Sequence, residues 1–204
     1  VTSLGQFSKK RWVLFSAINN RGQIVGSYGN PPDQHGFVGS AGTFTPIDAP
    51  GATGTVPSGI NDRGQIARYY FSVPARSPLQ GFLDNDGTIT PINVPGEGQT
   101  RALGINNQGA IVGDHFDLTG QHGFVYSGGS FTSINAPGAL HTDIWGINNR
   151  GQIVGEYGGV GWSHGFLATP VINPEPTTIL LLASGVAGLA LGRRWSQHMS
   201  KRRH

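Results

Sequence analysis

Ile147-Asn148-Asn149-Arg150-Gly151-Gln152-Ile153-Val154-Gly155 decides the fold, because close copies of it begin at Ile18 (INNRGQIVG), Ile60 (INDRGQIAR) and Ile105 (INNQGAIVG). The periods are 42, 45 and 42 residues, the size of one supersecondary unit per copy, stacked or arranged radially. An HGF-type triplet follows each copy: His35-Gly36-Phe37, Gln80-Gly81-Phe82, His122-Gly123-Phe124 and His164-Gly165-Phe166. The second copy reaches its triplet three residues late, through the Pro-bearing stretch from Ser72 to Pro78, an insertion that a loop absorbs cheaply. A third block, Phe44-Thr45-Pro46-Ile47, Ile89-Thr90-Pro91-Ile92 and Phe131-Thr132-Ser133-Ile134, follows the first three triplets and leads each time into a Pro-Gly pair.

Each repeat reads as four short strands. The first ends at the leading Ile; Asn61-Asp62-Arg63-Gly64 and its equivalents then turn the chain, with Gly where a tight hairpin with a G1-type bulge needs positive φ. The second strand carries paired apolar residues, Ile24-Val25, Ile111-Val112 and Ile153-Val154, suited to cover on both faces. The third carries the triplet Phe and an aliphatic neighbour. The fourth is the Phe/Ile-Thr-Pro/Ser-Ile block, and Pro46 and Pro91 place it at an edge, since Pro lacks a ladder donor. Repeated four-stranded antiparallel units of this length predict an all-β, β-propeller-like domain of about four blades, starting near 18, 60, 105 and 147, over residues 1–170. Val1-Thr2-Ser3-Leu4 matches the third block, while the last repeat lacks its own copy. Pairing of the two would close a four-bladed ring; an open piece of a larger propeller is the other arrangement.

The 33 Gly and 13 Pro recur on the repeat period and read as turn residues. The absence of Cys excludes a disulfide scaffold, a thiolate metal site and a Cys nucleophile. Net charge is +3, yet five of the 14 basic residues follow Gly192, so the body holds 9 basic against 11 acidic groups. That balance, with no basic stripe interleaved with aromatics, argues against a nucleic-acid partner.

The three blocks in register resemble the extracellular HAF repeat over roughly residues 1–168. The resemblance implies a secreted or surface-exposed propeller-like domain and brings no catalytic residues. The sequence opens inside a repeat without an initiator Met, and Trp12-Val13-Leu14-Phe15 is too short for a signal-peptide core; a longer reading frame with an export signal is the expectation.

Residues 171–204 follow a different grammar. Pro174-Glu175-Pro176 precedes an uncharged stretch, 177–192, and then Arg193-Arg194 and a basic end over 193–204. As a helix the 16-residue stretch reaches about 24 Å, short of the ~30 Å hydrocarbon core, with snorkelling Arg193 and Arg194 and an interfacial Trp195 to extend it. A single C-terminal transmembrane helix is predicted, basic end in the cytoplasm and repeats outside. The order of parts resembles the PEP-CTERM sorting signal. The resemblance implies recognition of Pro174, Glu175, Pro176, Arg193 and Arg194 by an exosortase of a Gram-negative bacterium. It further implies inner-membrane anchoring before processing, delivery to the cell surface or matrix, and a link to exopolysaccharide or biofilm.

Among possible chemical groups, His35, His122 and His164 read as strand-start residues making a repeated local hydrogen bond rather than as metal ligands, since Gln80 replaces one. Asp84-Asn85-Asp86-Gly87 reads as a hairpin, because a calcium loop needs a Glu where Pro95 stands. Asp114-His115-Phe116-Asp117 breaks the repeat pattern, and with Arg68, Tyr69 and Tyr70 gives a possible ligand-binding loop, polar and aromatic as a glycan site requires. No metal, cofactor or catalytic group is expected. The reading is a surface or matrix protein with a structural or binding role; the alternatives are a secreted propeller-type enzyme acting on glycans and a protein–protein interaction module.

Overall fold

The computed structural model describes residues 12–31, 33–72, 78–96 and 98–170. Every regular element there is a strand. The first repeat gives β1 (Val13–Ile18), β2 (Ile24–Asn30), β3 (Asp33–Ser40) and β4 (Thr43–Pro46); the second β5 (Gly54–Ile60), β6 (Ile66–Phe71), β7 (Gln80–Asn85) and β8 (Thr88–Pro91). The third gives β9 (Gln99–Ile105), β10 (Ile111–Phe116), β11 (Gln121–Ser127) and β12 (Ser130–Ile134), and the fourth β13 (His141–Ile147), β14 (Ile153–Gly159) and β15 (Trp162–Ala168). Strands pair antiparallel in chain order within each repeat, so each repeat is one blade. The fourth blade has three strands among the described residues.

Local chemistry dictates the hairpins. In the first turn Gly22 donates to the Asn19 carbonyl at 3.1 Å and Asn19 donates to the Gln23 carbonyl at 3.0 Å, with Gly22 at φ 74°, the bulged geometry that favours Gly. Asp86-Gly87 makes the two-residue hairpin expected of an Asp-Gly pair, at φ 52° and 84°. A bulge recurs in every first strand, between Phe15 and Ala17, Pro57 and Gly59, and Ile144 and Gly146, and opposite Val112/Gly113 in blade 3. The bulge presses a carbonyl onto the second strand: a Cβ at Gly113 would lie 1.8 Å from the Arg101 oxygen, and one at Gly155 1.9 Å from that of Asp143. Blade 2 alone carries a side chain at this position, Arg68, opposite Pro57.

Most of the core lies between blades, with one further cluster, Phe37 and Phe44, inside blade 1. The first strand of each blade packs on the second and third strands of the blade before it. Val25, Ile60 and Ile66 fill one junction; Ala67, Ile92, Ala102, Ile105 and Phe124 the next; Val112, Ile134, Ile144, Ile153 and Phe166 the third. A buried Phe or Ile contributes roughly 1.5–3 kcal/mol, so stability is spread along the array. The four blades form an open arc. Ile18 is 68% exposed where Ile60 and Ile105 are 7%, and Val154 is 48% exposed where Val25, Ala67 and Val112 are 0%, because nothing described precedes blade 1 or follows blade 4.

Among the described residues no helix is long and apolar enough to cross a membrane. The predicted transmembrane helix 177–192, Pro174-Glu175-Pro176, the basic end and the strand expected at Val1 to Leu4 all lie outside the described residues.

Candidate functional site

Two features break the monotony of the blades, one at the turns that carry the repeat signature and one further down the strands. At the turns, the signature Asn serves its own hairpin and the neighbouring blade together. Asn61 Oδ1 accepts from the Arg63 and Gln65 amides at 3.0 Å each, while its Nδ2 donates to Gln65 Oε1 at 2.8 Å and to the Asn106 carbonyl of the next blade at 3.0 Å. Asn19 donates to the Asn61 carbonyl at 2.9 Å and Asn106 to that of Asn148 at 3.3 Å. The following residue forms a parallel ladder: the Asn20, Asp62 and Asn107 amides each donate at 2.8 Å to the side chain of their counterpart one blade on, Asp62, Asn107 and Asn149. These amides and the Asp62 carboxylate line a polar depression of about 200 Å³, floored by Ile18, Ile60, Ile105 and Ile147. Amide donations from Asn20 and Asn107 hold the Asp62 carboxyl below the usual carboxylate range.

The second feature is centred on Arg101 of β9. Its Nε and Nη2 grip both oxygens of Asp114 at 2.7 Å, a bidentate pair between facing residues of β9 and β10. Nη2 also reaches Asp143 of blade 4 at 3.4 Å, and Gln121 Nε2 donates to the same Asp143 oxygen. Asp114 is wholly buried. Burial works against the Arg101 charge, but the Asp114 hydrogen bond and charge outweigh it and raise its pKa. The Tyr69 hydroxyl is pushed up, mainly by burial.

The six residues singled out in the sequence are strand and turn residues that face different ways. Tyr69 and Asp114 join the Arg101 cluster. Arg68, one position from Tyr69, points to the opposite side of β6, is 1% exposed and binds Asp84 and the Ile47 carbonyl. Tyr70 packs edge-on against Phe82 at 5.5 Å. His115 lies 5.4 Å from the ring of its cross-strand partner His122. Asp117 sits in the β10–β11 turn, at the opposite end of the blade from the Asn ladder. It accepts from the Thr119 hydroxyl and amide, which hold its carboxyl far below the usual range, and from the Gly120 amide, and it lies 3.1 Å from His122 Nε2.

Two of the three strand-start histidines, His35 and His122, make the repeated hydrogen bond expected of them, and the position equivalent to their partners in the fourth repeat lies outside the described residues. His35 Nδ1 meets Asp48 at 2.8 Å, His122 Nδ1 meets Asn135 at 3.0 Å, and Gln80 accepts from Asn93 at 2.7 Å, each partner 13 residues on. A threonine repeat escaped the sequence reading: Thr55, Thr100 and Thr142 accept from the Ala49, Val94 and Ala136 amides at 2.9–3.1 Å and tie each connection to the next blade. Its signal was Thr five residues before the leading Ile in three repeats. His141, Asp143 and Glu156, also unforeseen, bring three ligand atoms within 4.8 Å of one another and could hold a metal ion. Arg101 already supplies positive charge to that carboxylate.

Burial, then the Asp114 charge, raises the Asp143 carboxyl above its ordinary value of 3.8; Arg101 and His141 oppose the rise and Glu156 adds to it. A raised folded value means that ionisation opposes folding, so this group's contribution is fully present below the ordinary value and is lost as pH rises through the raised one. Asp143→Asn is expected to raise the melting temperature at pH 7 and to leave it nearly unchanged at pH 3. Equal shifts at both values in thermal melts would show that the titration of Asp143 has no such effect.

A model of the PEP-CTERM protein-sorting motif matches residues 174–194. The motif implies an exported protein, anchored in the membrane until an exosortase processes it. No curated protein matches the chain. Among solved structures the chain is similar to the β-propeller domain of the Trilobed protease from Pyrococcus furiosus, at 12% identity and a TM-score of 0.53, over 78% of this chain and 49% of that one. It is also similar to virginiamycin B lyase from Staphylococcus aureus, at 12% identity and a TM-score of 0.46, over 76% of this chain and 55% of that one. The chain thus spans about half the length of the structures it matches, and the likeness is one of fold.

Proposed function

We propose that this chain is a surface or extracellular-matrix protein delivered by exosortase processing, whose arc of HAF-type blades has a structural or binding role linked to exopolysaccharide or biofilm. The observation that carries the reading is the sorting motif at residues 174–194, which directs the blades to the outside of the cell. A binding rather than catalytic role is supported by the employment of the ionisable groups: Arg68 with Asp84, Arg101 with Asp114 and Asp143, and His35 with Asp48 all hold strands or blades together. The polar depression at the repeat turns, lined by Asn20, Asp62, Asn107 and Asn149, offers side-chain oxygens as acceptors to a hydroxyl-rich polymer, its backbone amides being engaged in the ladder. Mass spectrometry of the protein from its native host, with and without the exosortase, tests the reading. A mature C-terminus near Pro176 that disappears in the exosortase deletion is the expected result; an intact tail in both strains would overturn it.

A further inference from the structure

Blade 4 departs from its sisters at one pair of facing positions on its first two strands. In blade 3 that pair is Arg101 with Asp114, a salt bridge; in blades 2 and 1 it is Val56 with Tyr69 and Leu14 with Ser27. In blade 4 it is Asp143 with Glu156, two carboxylates directly opposite each other on β13 and β14. Like charges so placed destabilise a sheet. The guanidinium that reaches Asp143 is shared, since Arg101 grips Asp114 at 2.7 Å and meets Asp143 at 3.4 Å. The same copy carries a third change, His141 where blade 3 has Gln99 and blade 2 has Gly54. Alternate residues of a strand share a face, and the bulge in β13 falls later, between Ile144 and Gly146, so His141 stands beside Asp143.

Each of the three keeps a donor atom available. The hydrogen bonds from Arg101 and Gln121 both go to Asp143 Oδ1; among the described residues none goes to Oδ2, although Asp143 is only 7% exposed. Glu156 accepts from the Ser163 hydroxyl at Oε2, at 3.2 Å, and Oε1 has no donor among the described residues. The His141 ring differs from those of His35 and His122, which are hydrogen-bonded, in having no such partner there. It lies over bare backbone: a Cβ on Gly158, the residue facing it, would stand 2.6 Å from Cε1 and 3.0 Å from Nε2. One ligand atom from each of His141, Asp143 and Glu156 lies within 4.8 Å of the other two.

We propose that His141, Asp143 and Glu156 bind a zinc ion at the junction of blades 3 and 4. The imidazole selects a transition ion over Ca²⁺ and Mg²⁺, which take oxygen ligands, and the two carboxylates with no thiolate turn away soft Cu⁺. Bonds of about 2.0–2.2 Å in a tetrahedron set ligand atoms about 3.3 Å apart. Rotation of the half-buried His141 and Glu156 side chains supplies that contraction with the strands in place. Arg101 and Gln121 stay on Oδ1 and orient the Asp143 carboxylate, as hydrogen-bonded neighbours of metal ligands do. The ion balances Asp114, Asp143 and Glu156, which otherwise face one guanidinium. Three protein ligands leave the fourth position of the tetrahedron to water or to an oxygen of a bound molecule.

The test is calorimetric titration of the detergent-purified full chain, expressed without a histidine tag, stripped with EDTA and dialysed free of it. Zn²⁺ is expected to bind at one ion per chain. Loss of a residue that merely orients a ligand costs about 10–100-fold in affinity, so His141→Ala and Glu156→Gln are each expected to weaken binding by about 100-fold or more. His164→Ala, an exposed histidine of β15 outside the cluster, is expected to leave it unchanged, and excess Ca²⁺ to leave the ion in place. As a second readout, Zn²⁺ is expected to raise the melting temperature of the wild type and of neither variant. It is also expected to place Asp143→Asn below the wild type at pH 7, the reverse of the order in the metal-free chains. Absence of binding, displacement by Ca²⁺, or affinity retained in both variants, which would mean adventitious binding at other histidines, would each overturn the site.

Discussion

Asp84→Ala is expected to destabilise the fold by about 3–5 kcal/mol, the cost of leaving one member of a buried ion pair without its partner. Arg68 stands where blades 1, 3 and 4 have Gly26, Gly113 and Gly155, and Asp84 stands where they have Gly39, Tyr126 and Ala168, so blade 2 holds a charge pair at positions its sisters leave uncharged. The Arg68 guanidinium lies over the Phe82 ring at 4.5 Å, binds Asp84 and the Ile47 carbonyl, and leaves its Nε without a partner in the structure. Burial is the largest influence on it and pulls its pKa down, against Asp84 and Asp48. A guanidinium does not deprotonate in a protein, so removal of Asp84 strands a charge instead of neutralising it. The second oxygen system of Asp84 adds to the loss, since Oδ1 accepts from the Gly87 amide at 2.8 Å and fixes the β7–β8 hairpin. Replacing both partners together, Arg68→Met with Asp84→Leu, is expected to recover most of the stability, because desolvation of the two charges disappears with them. Urea unfolding with an unchanged denaturant slope is the measurement. A loss under about 1 kcal/mol for Asp84→Ala, the range of an exposed pair, would contradict the burial on which the argument rests.

That ion pair marks where the sequence stops being legible. The repeat period, strand boundaries, turn glycines and edge prolines follow from local chemistry, and so does a local hydrogen bond at His35 and His122, because each of those contacts lies within one repeat. The contact of Arg68 with Asp84 is also within one repeat, but it joins two positions that hold no charge elsewhere, so the period gives no hint of it; the only signal was that both departures occur in the same copy. Grouping Arg68, Tyr69 and Tyr70 with Asp114, His115 and Asp117 ignored the two-residue alternation of a strand, which sends Arg68 to the core and Tyr69 to the Arg101 cluster. His141, Asp143 and Glu156 meet across β13 and β14, a register that residues in a single copy do not announce. The open arc was one of two arrangements consistent with four repeats, since a period fixes the blade and leaves the rotation between blades free.

The same limit applies to the signature Asn, whose turn role is local and whose ladder role is not. Asn61→Ala is expected to cost about 3 kcal/mol: four hydrogen bonds of about 0.5–1 kcal/mol net each are lost around a buried Asn side chain, and the Arg63 and Gln65 amides are left with one acceptor fewer. Asn148 separates the two roles. It keeps three local bonds, accepting from the Arg150 and Gln152 amides and donating to Gln152 Oε1, but it is exposed and among the described residues no following blade offers its ladder bond an acceptor. Asn148→Ala in the isolated chain is therefore expected to cost about 1 kcal/mol, because water replaces what an exposed turn loses. The difference of about 2 kcal/mol between the variants measures the blade-to-blade bond and the burial that comes with it, and equal losses in urea unfolding would reduce the ladder to a by-product of turn geometry.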